Sequence, residues 1–588
     1  MQDRPAPSSR PRRPAALPAF ALALGLTLLA ACQGPAQKQA QTNAEPRASE
    51  QPIAPSPPPA PPSRPTSREE ASLDRIVVTG SRVGGAELAH RQRAAPAMVA
   101  IAPAAPVMFD APEVNRENYA ELRRNGIQRV AEQPVSTFSI DVDTGAYSNL
   151  RRMLHAGQRP PTDAVRIEEL INYFSYDYRA PTAGEKPFAF ATELAPSPFN
   201  DKRLLLQVAL QAQAVDASAL PPANLVFLID TSGSMHDAAK LPLLKRGFAL
   251  LVNQLRAQDS VAIVTYAGSA GLVLPPTKGS QRGEILAALE RLEAGGSTNG
   301  GAGIALAYAV ARQARVEGGI NRVILASDGD FNVGTVDHNA LETLVADQRA
   351  SGVALSVLGF GSGNYNEQTA ERLADVGNGN YAYIDSLLEA RKVLVAQMGG
   401  TLHTLASDVK IQVEFNPAVV AEYRLLGYEN RLLAREDFDN DRVDAGEIGA
   451  GHSVTALYEI ALVGSGGEAS APLRYAPDQA PTDPRSDEIA LLRLRYKRPG
   501  EHSSQLIEQP IARSGLREQP SHNLGFAAAV AGYGELLRGG EHAGAMSWDR
   551  VEQLAVAARG EDRDGLRGEF LQLVGLARSL TGADSAQR

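Results

Sequence analysis

The chain contains one cysteine, Cys32, in 588 residues. That excludes a disulfide framework and any cysteine-cluster zinc or iron–sulfur centre. Positive charge is in deficit, with 58 Lys and Arg against 67 Asp and Glu and a net charge of −9. A phosphate backbone must be met by clustered Lys and Arg, so no nucleic-acid partner is expected. None of the nine histidines falls in a His-Glu-x-x-His pair, which argues against a zincin protease. The chain has no Gly-x-Ser-x-Gly elbow for a serine nucleophile and no Gly-Lys-Ser/Thr phosphate loop. Beyond the N-terminus, no stretch has the length and apolarity of a membrane-spanning helix.

What is present begins with a basic N-terminus (Arg4, Arg10, Arg12, Arg13) followed by an apolar run from Leu17 to Ala31. This is the layout of a secretory signal over residues 1–31. It ends Leu29-Ala30-Ala31-Cys32, which resembles the bacterial lipoprotein lipobox. The resemblance implies cleavage before Cys32, lipidation of that residue, and a lipid anchor that holds the chain at the membrane without spanning it. Gln33, where an Asp would signal retention by resemblance to enterobacterial sorting, implies the outer membrane, on its periplasmic or surface side.

Residues 32–108 are rich in Pro, Ala, Gln and Ser and hold too little apolar surface to offset ordering entropy, so a disordered tether is expected. Inside it, Leu73–Val83 is similar to the segment that opens the plug of TonB-dependent receptors, although no barrel pattern follows. Ile76–Val83 is therefore either a β-prone patch in a linker or a weak contact with an envelope partner by strand addition.

Four further regions follow. Residues 109–220 mix helices with a strand pair at Phe188–Leu194 and Arg203–Ala212. Asp141 and Asp143 lie in Ser136–Thr144, where Asp143 or Thr144 is read as a helix cap rather than a ligand. Residues 221–400 alternate short apolar runs with helical patterns, as a doubly wound, mostly parallel α/β sheet does. The runs are Leu225–Asp230, Ser260–Tyr266, Gly271–Leu274, Arg322–Ser327, Ala354–Phe360 and Tyr381–Ile384. Residues 401–520 read as antiparallel strands that, with the earlier pair, form a β-sandwich-like region into which the α/β unit is inserted. Residues 521–588 read as C-terminal helices. Asp437-Phe438-Asp439-Asn440-Asp441 lacks the Gly and Glu of an EF-hand, since Arg442 and Ile448 stand there, and is read as a solvated acidic turn.

The chemistry concentrates on three loops of the α/β region. Asp230-Thr231-Ser232-Gly233-Ser234 follows the first strand, Gly296-Ser297-Thr298-Asn299 precedes a helix, and Ser327-Asp328-Gly329 ends another strand. Ligands bind open α/β sheets at that carboxyl edge. Three hydroxyls and two carboxylates suit a hard divalent cation. Neutral hydroxyls leave most of the ion's charge uncompensated, so it can take one more anionic oxygen from another molecule. This is a device for binding rather than catalysis.

These residues resemble the metal-ion-dependent adhesion site of von Willebrand factor type A (VWA) domains, and the likeness covers about Asn224 to Met398. The resemblance implies a Rossmann-like fold with Mg²⁺ (or Mn²⁺ or Ca²⁺) contacted by Ser232, Ser234 and Thr298. Asp230 and Asp328 would act directly or through water, and a partner's Asp or Glu would complete the shell. The flanks resemble bacterial VWA lipoproteins with an uncharacterised C-terminal domain. The expectation is a membrane-anchored, non-enzymatic protein-binding module. The alternatives are a scaffold whose C-terminal region makes the contact around a structural metal, and, more remotely, a metal-dependent hydrolase.

Overall fold

Leu225-Val226-Phe227-Leu228-Ile229 leaves no polar side chain to face water, so the strand that carries it belongs at the centre of a sheet. In the computed structural model this strand, Ala223–Asp230, is buried along its whole length. The structure describes residues 117–587, apart from 141–142, 183, 217, 330–337, 364, 444, 471–486 and 502. The expected signal, Cys32, the tether, Ile76–Val83 and Asp141 lie outside the described residues. Among the described residues, no helix is long and apolar enough to cross a membrane.

The six-stranded sheet runs in the order Tyr381–Ile384, Ala354–Phe360, Ile320–Ser327, Ala223–Asp230, Ser260–Tyr266, Ala270–Lys278. The first five strands are parallel and the last is antiparallel. That edge strand is longer than its apolar run suggested. It tolerates Pro275 and Pro276 because its outer side needs no ladder donors. Leu241–Gln254 and Arg282–Glu290 cover one face, while Gly300–Gln313, His338–Arg349 and Glu367–Val376 cover the other. The α/β, doubly wound expectation holds.

The strand pair ahead of this unit joins strands that follow it. Phe188–Pro196 pairs with Leu204–Ala212, which pairs with Ser453–Leu462, then Val420–Leu426, then Gln128–Arg129. A second antiparallel sheet places Ile448–Gly449 and Val135–Ser139 beside Thr404–Phe415, followed by Glu488–Lys497 and Gln505–Ala512. The two sheets enclose one core, with Val208, Leu210 and Tyr458 from the first against Ile411, Val413 and Leu492 from the second. The α/β unit is therefore an insertion in a β-sandwich. Its two ends are held together by one short segment. Ala212 N donates to His452 O, Gly451 N to Gln213 O, and Ala450 N to His403 O.

A third core joins helices far apart in sequence. Gly145–His155 and Ile167–Asn172 pack with His522–Leu537, Trp548–Ala557 and Leu566–Gln587 around Phe174, Phe526, Tyr533 and Phe570.

One local expectation is corrected and another is extended. Neither Asp143 nor Thr144 caps Gly145–His155: Thr144 stands at the cap position without a side-chain bond. Ala146 N donates instead to the Glu169 carboxylate at 2.8 Å. Asp143 accepts from Tyr381 N and pairs with Arg431. The acidic turn at 437–441 is exposed at Asp439, Asn440 and Asp441, as expected, and neighbouring cations also hold it. Lys410 Nζ donates to the Asp437 and Asn440 carbonyls, Lys497 to the Asp441 carbonyl, and Arg495 pairs with Asp439.

Candidate metal centre at the sheet edge

The strand order reverses between Ala223–Asp230 and Ile320–Ser327, and a crevice opens at the carboxyl ends of strands flanking such a reversal. Asp230 is the last residue of one strand, and Asp328 follows the last residue of the other. Both carboxylates are fully buried. Asp230 Oδ1 accepts from Ser232 N at 2.8 Å, and its Oδ2 accepts from Ser327 Oγ at 3.1 Å. The Ser327–Asp230 bond ties the two strand ends together, and Ser327 Oγ also accepts from Gly329 N in its own loop.

Ser232 Oγ and Ser234 Oγ lie 3.0 Å apart. Ser232 is buried and Ser234 is exposed, so the pair spans the mouth of the crevice. The glycine-rich loop bearing Thr298 is pinned beside them, because Gly233 N donates to Gly296 O and Gly295 N to Thr231 O. Thr298 itself is partly exposed, one residue before the Asn299 cap of Gly300–Gln313. The structure thus brings Asp230, Ser232, Ser234 and Asp328 to one edge and sets the Thr298 loop against them. His236, two residues beyond Ser234, is exposed.

Burial pushes the Asp230 carboxyl up to about 6, with the Asp328 charge adding to the shift and bonds from Ser232 and Ser327 opposing it. Two carboxylates buried together call for a cation. Part of that demand is met by Lys240, whose Nζ donates to Asp328 Oδ2 at 2.9 Å. Sequence reasoning passed over Lys240; a lone lysine in a loop of oxygen donors was the available signal. Among the described residues, no three His, Cys, Asp or Glu side chains gather as a metal set. A cation held here would therefore need the hydroxyls. The donor set fits a hard divalent ion, which Ser232, Ser234 and Thr298 would hold with Asp230 and Asp328. Such an ion would supply a positive centre for an anionic oxygen.

Residues 225–330 match the von Willebrand factor type A domain family, residues 113–207 the family described as von Willebrand factor, and residues 400–580 that described as uncharacterized protein YfbK, C-terminal. Domains of the VWA type generally mediate protein contacts and often bind a divalent metal. The chain is similar to the uncharacterized protein YfbK of Escherichia coli K12, 50% identical over 471 residues, which are 79% of this chain and 81% of that protein. The uncharacterized protein sll0103 of Synechocystis is 28% identical over 186 residues, 32% of this chain and 43% of that one. A solved von Willebrand factor type A protein from Catenulispora acidiphila aligns over 67% of this chain and 91% of its own, at 18% identity and a TM-score of 0.38. With half its residues identical across some four-fifths of both sequences, the chain belongs to the YfbK family and carries a VWA domain joined to a YfbK-type C-terminal domain.

Proposed function

We propose that this protein is a lipid-anchored envelope component whose VWA domain captures an acidic side chain of a partner protein through a divalent metal, without catalysing a reaction. The observation that carries the reading is the Ser232–Ser234 hydroxyl pair at the mouth of a crevice floored by buried Asp230 and Asp328. Neutral donors in front and carboxylates behind would leave the ion electrophilic toward solvent, where a partner's Asp or Glu approaches. The anchor is inferred from the lipobox-like residues ending at Cys32, and the outer-membrane location from Gln33 in place of a retention Asp.

The test is a pull-down from envelope extract with the chain from Gln33 onward, in Mg²⁺, in chelator, and with Thr298→Ala. Partners retained only by the wild-type protein in Mg²⁺ support the reading. Partners retained in all three conditions would move the contact to the C-terminal region and leave the metal structural.

Gly329→Ala tests the geometry behind Asp328. Gly329 has φ +83°, and a Cβ there would lie 2.6 Å from Tyr365 Cδ2 and 2.7 Å from Asn366 N. Relief would have to come from the backbone that carries Asp328. Affinity for Mn²⁺, read by calorimetry, is expected to fall about tenfold or more at an unchanged circular dichroism spectrum. An unaltered affinity would place the ion away from Asp328.

A further inference from the structure

Lys240 is an unusual neighbour for a metal site. It stands just before Leu241–Gln254, is 8% exposed, and pairs with Asp328, which is fully buried. Its position is built into the fold. The stem lies on Gly361, where φ is +76° and any Cβ would collide with the Lys240 chain. Gly361 follows the strand Ala354–Phe360, so the floor beneath the lysine comes from a neighbouring strand of the same sheet edge. A surface lysine that swung in by chance would have no such cradle.

The charges decide what this arrangement does. Asp230 and Asp328 face the same crevice, and each buried negative charge disfavours the other unless a cation stands between them and solvent. Lys240 supplies one positive charge on Asp328. A divalent ion held by Ser232, Ser234 and Thr298 would supply two in the same neighbourhood. An ammonium fixed within a few ångströms of such an ion repels it, and at low effective dielectric that repulsion is far larger than in water. An ion drawn toward Asp328 must also share a carboxylate that already accepts a charged hydrogen bond.

Resting on the metal-site reading above, we infer that Lys240 is a tethered cation that competes with the divalent ion for Asp328 and so sets the affinity of the site for metal. Metal binding is then an exchange of cations rather than simple filling of a site. The metal-free domain stays folded because its carboxylates are partly neutralised. The ion is held weakly on its own, and a partner carboxylate that adds a ligand makes a correspondingly larger difference to its retention.

The test is titration of the full chain with Mn²⁺, with free ion counted by electron paramagnetic resonance, for the wild-type protein, Lys240→Met and Lys240→Gln. Methionine keeps the stem on Gly361 without the charge, and glutamine keeps a donor for Asp328 without the charge. Both variants are expected to bind Mn²⁺ about tenfold more tightly than wild type. Both should melt lower without metal and gain more in melting temperature when Mn²⁺ is added. Adding Ser232→Ala to Lys240→Met should abolish the gain. Equal affinity in all three proteins, weaker binding in the variants, or a gain that survives Ser232→Ala would overturn the competition while leaving a metal site in place. No Mn²⁺ bound by any of them would overturn the metal-site reading itself, and the competition with it.

Discussion

Replacing Arg166 by methionine is expected to destabilise the protein by about 3–5 kcal/mol, because it leaves buried carboxylates without their cation. Arg166 is fully buried and lies immediately before the helix Ile167–Asn172 of the helical body. It pairs with Glu169 of that helix at 3.2 Å, and with Glu367 (3.4 Å) and Glu371 of the VWA helix Glu367–Val376. Arg431 adds bonds to Glu371, Asp375 and Asp143. One guanidinium thus faces three carboxylates across the seam between the inserted α/β unit and the body. Urea unfolding with an unchanged slope would report the loss as a lower midpoint. A loss below about 1 kcal/mol would mean that the cluster adjusts without its arginine.

The same cluster sets a pH dependence. Burial pushes Glu367 up to about 8 and Glu169 to about 7, with Arg166 pulling each back in part. Burial also opposes ionisation of Glu371, but Arg166 and Arg431 outweigh it and hold that group below its ordinary value. Glu371 therefore carries the charge that answers Arg166, while Glu367 keeps its proton near neutrality. A carboxyl raised in the folded state binds a proton that the unfolded chain has already lost. The stability it contributes is full below its unfolded value and is lost as pH rises through its folded one. The melting temperature should fall as the pH rises from about 4.5 to about 8 and level off above that. Glu367→Gln, which mimics the protonated form, should flatten most of that slope. For the same reason the Arg166→Met defect should shrink in mild acid.

How much of this was legible follows from the range of the interactions. The parallel strands could be read because a strand buried on both faces is apolar residue after residue, as Leu225–Ile229 is. The strand Gln505–Ala512 was missed because Glu508 and Pro510 interrupt it. It is an edge strand, so one side is wet and its ladder needs fewer donors. The three loops with hydroxyls and carboxylates were legible because their spacing is local and each sits at the end of a readable strand. The cations were not. Lys410, Arg495 and Lys497 reach the acidic turn from strands remote in sequence, and Glu169 caps a helix 23 residues away. Charge pairing across such distances leaves no periodicity in the sequence. Lys240 is the instructive miss: it is close to the motif in sequence, but its meaning lies in Asp328 and Gly361, which only the folded sheet brings beside it.

Gly449→Ala is expected to cost about 3 kcal/mol and to split one unfolding transition into two. A Cβ at 449 would run into the Gly400 carbonyl oxygen and lie 2.5 Å from its carbon. Both partners are backbone, so no side chain can turn aside. Gly400 belongs to Met398–Leu402, the last helix of the inserted unit, and Gly449 pairs with Thr404 at the start of the strand that leads back into the sandwich. Three residues beyond Gly449, His452 closes the same segment that bonds Ala212 and Gln213, where the chain enters the unit, and His403, where it leaves. An insertion folds with its host as one unit only if its two ends are held in register, and here a single four-residue segment holds both. Displacing it weakens the coupling between the VWA domain and the sandwich more than it weakens either core. Tyrosine fluorescence and far-ultraviolet dichroism should then report different midpoints in Gly449→Ala and the same midpoint in wild type. Gly126→Ala, at a glycine where a Cβ would meet nothing within 4 Å, should stay within about 0.5 kcal/mol of wild type. Coincident transitions in Gly449→Ala would mean that the helical body and the Arg166 cluster, rather than this segment, hold the VWA domain to the rest of the chain.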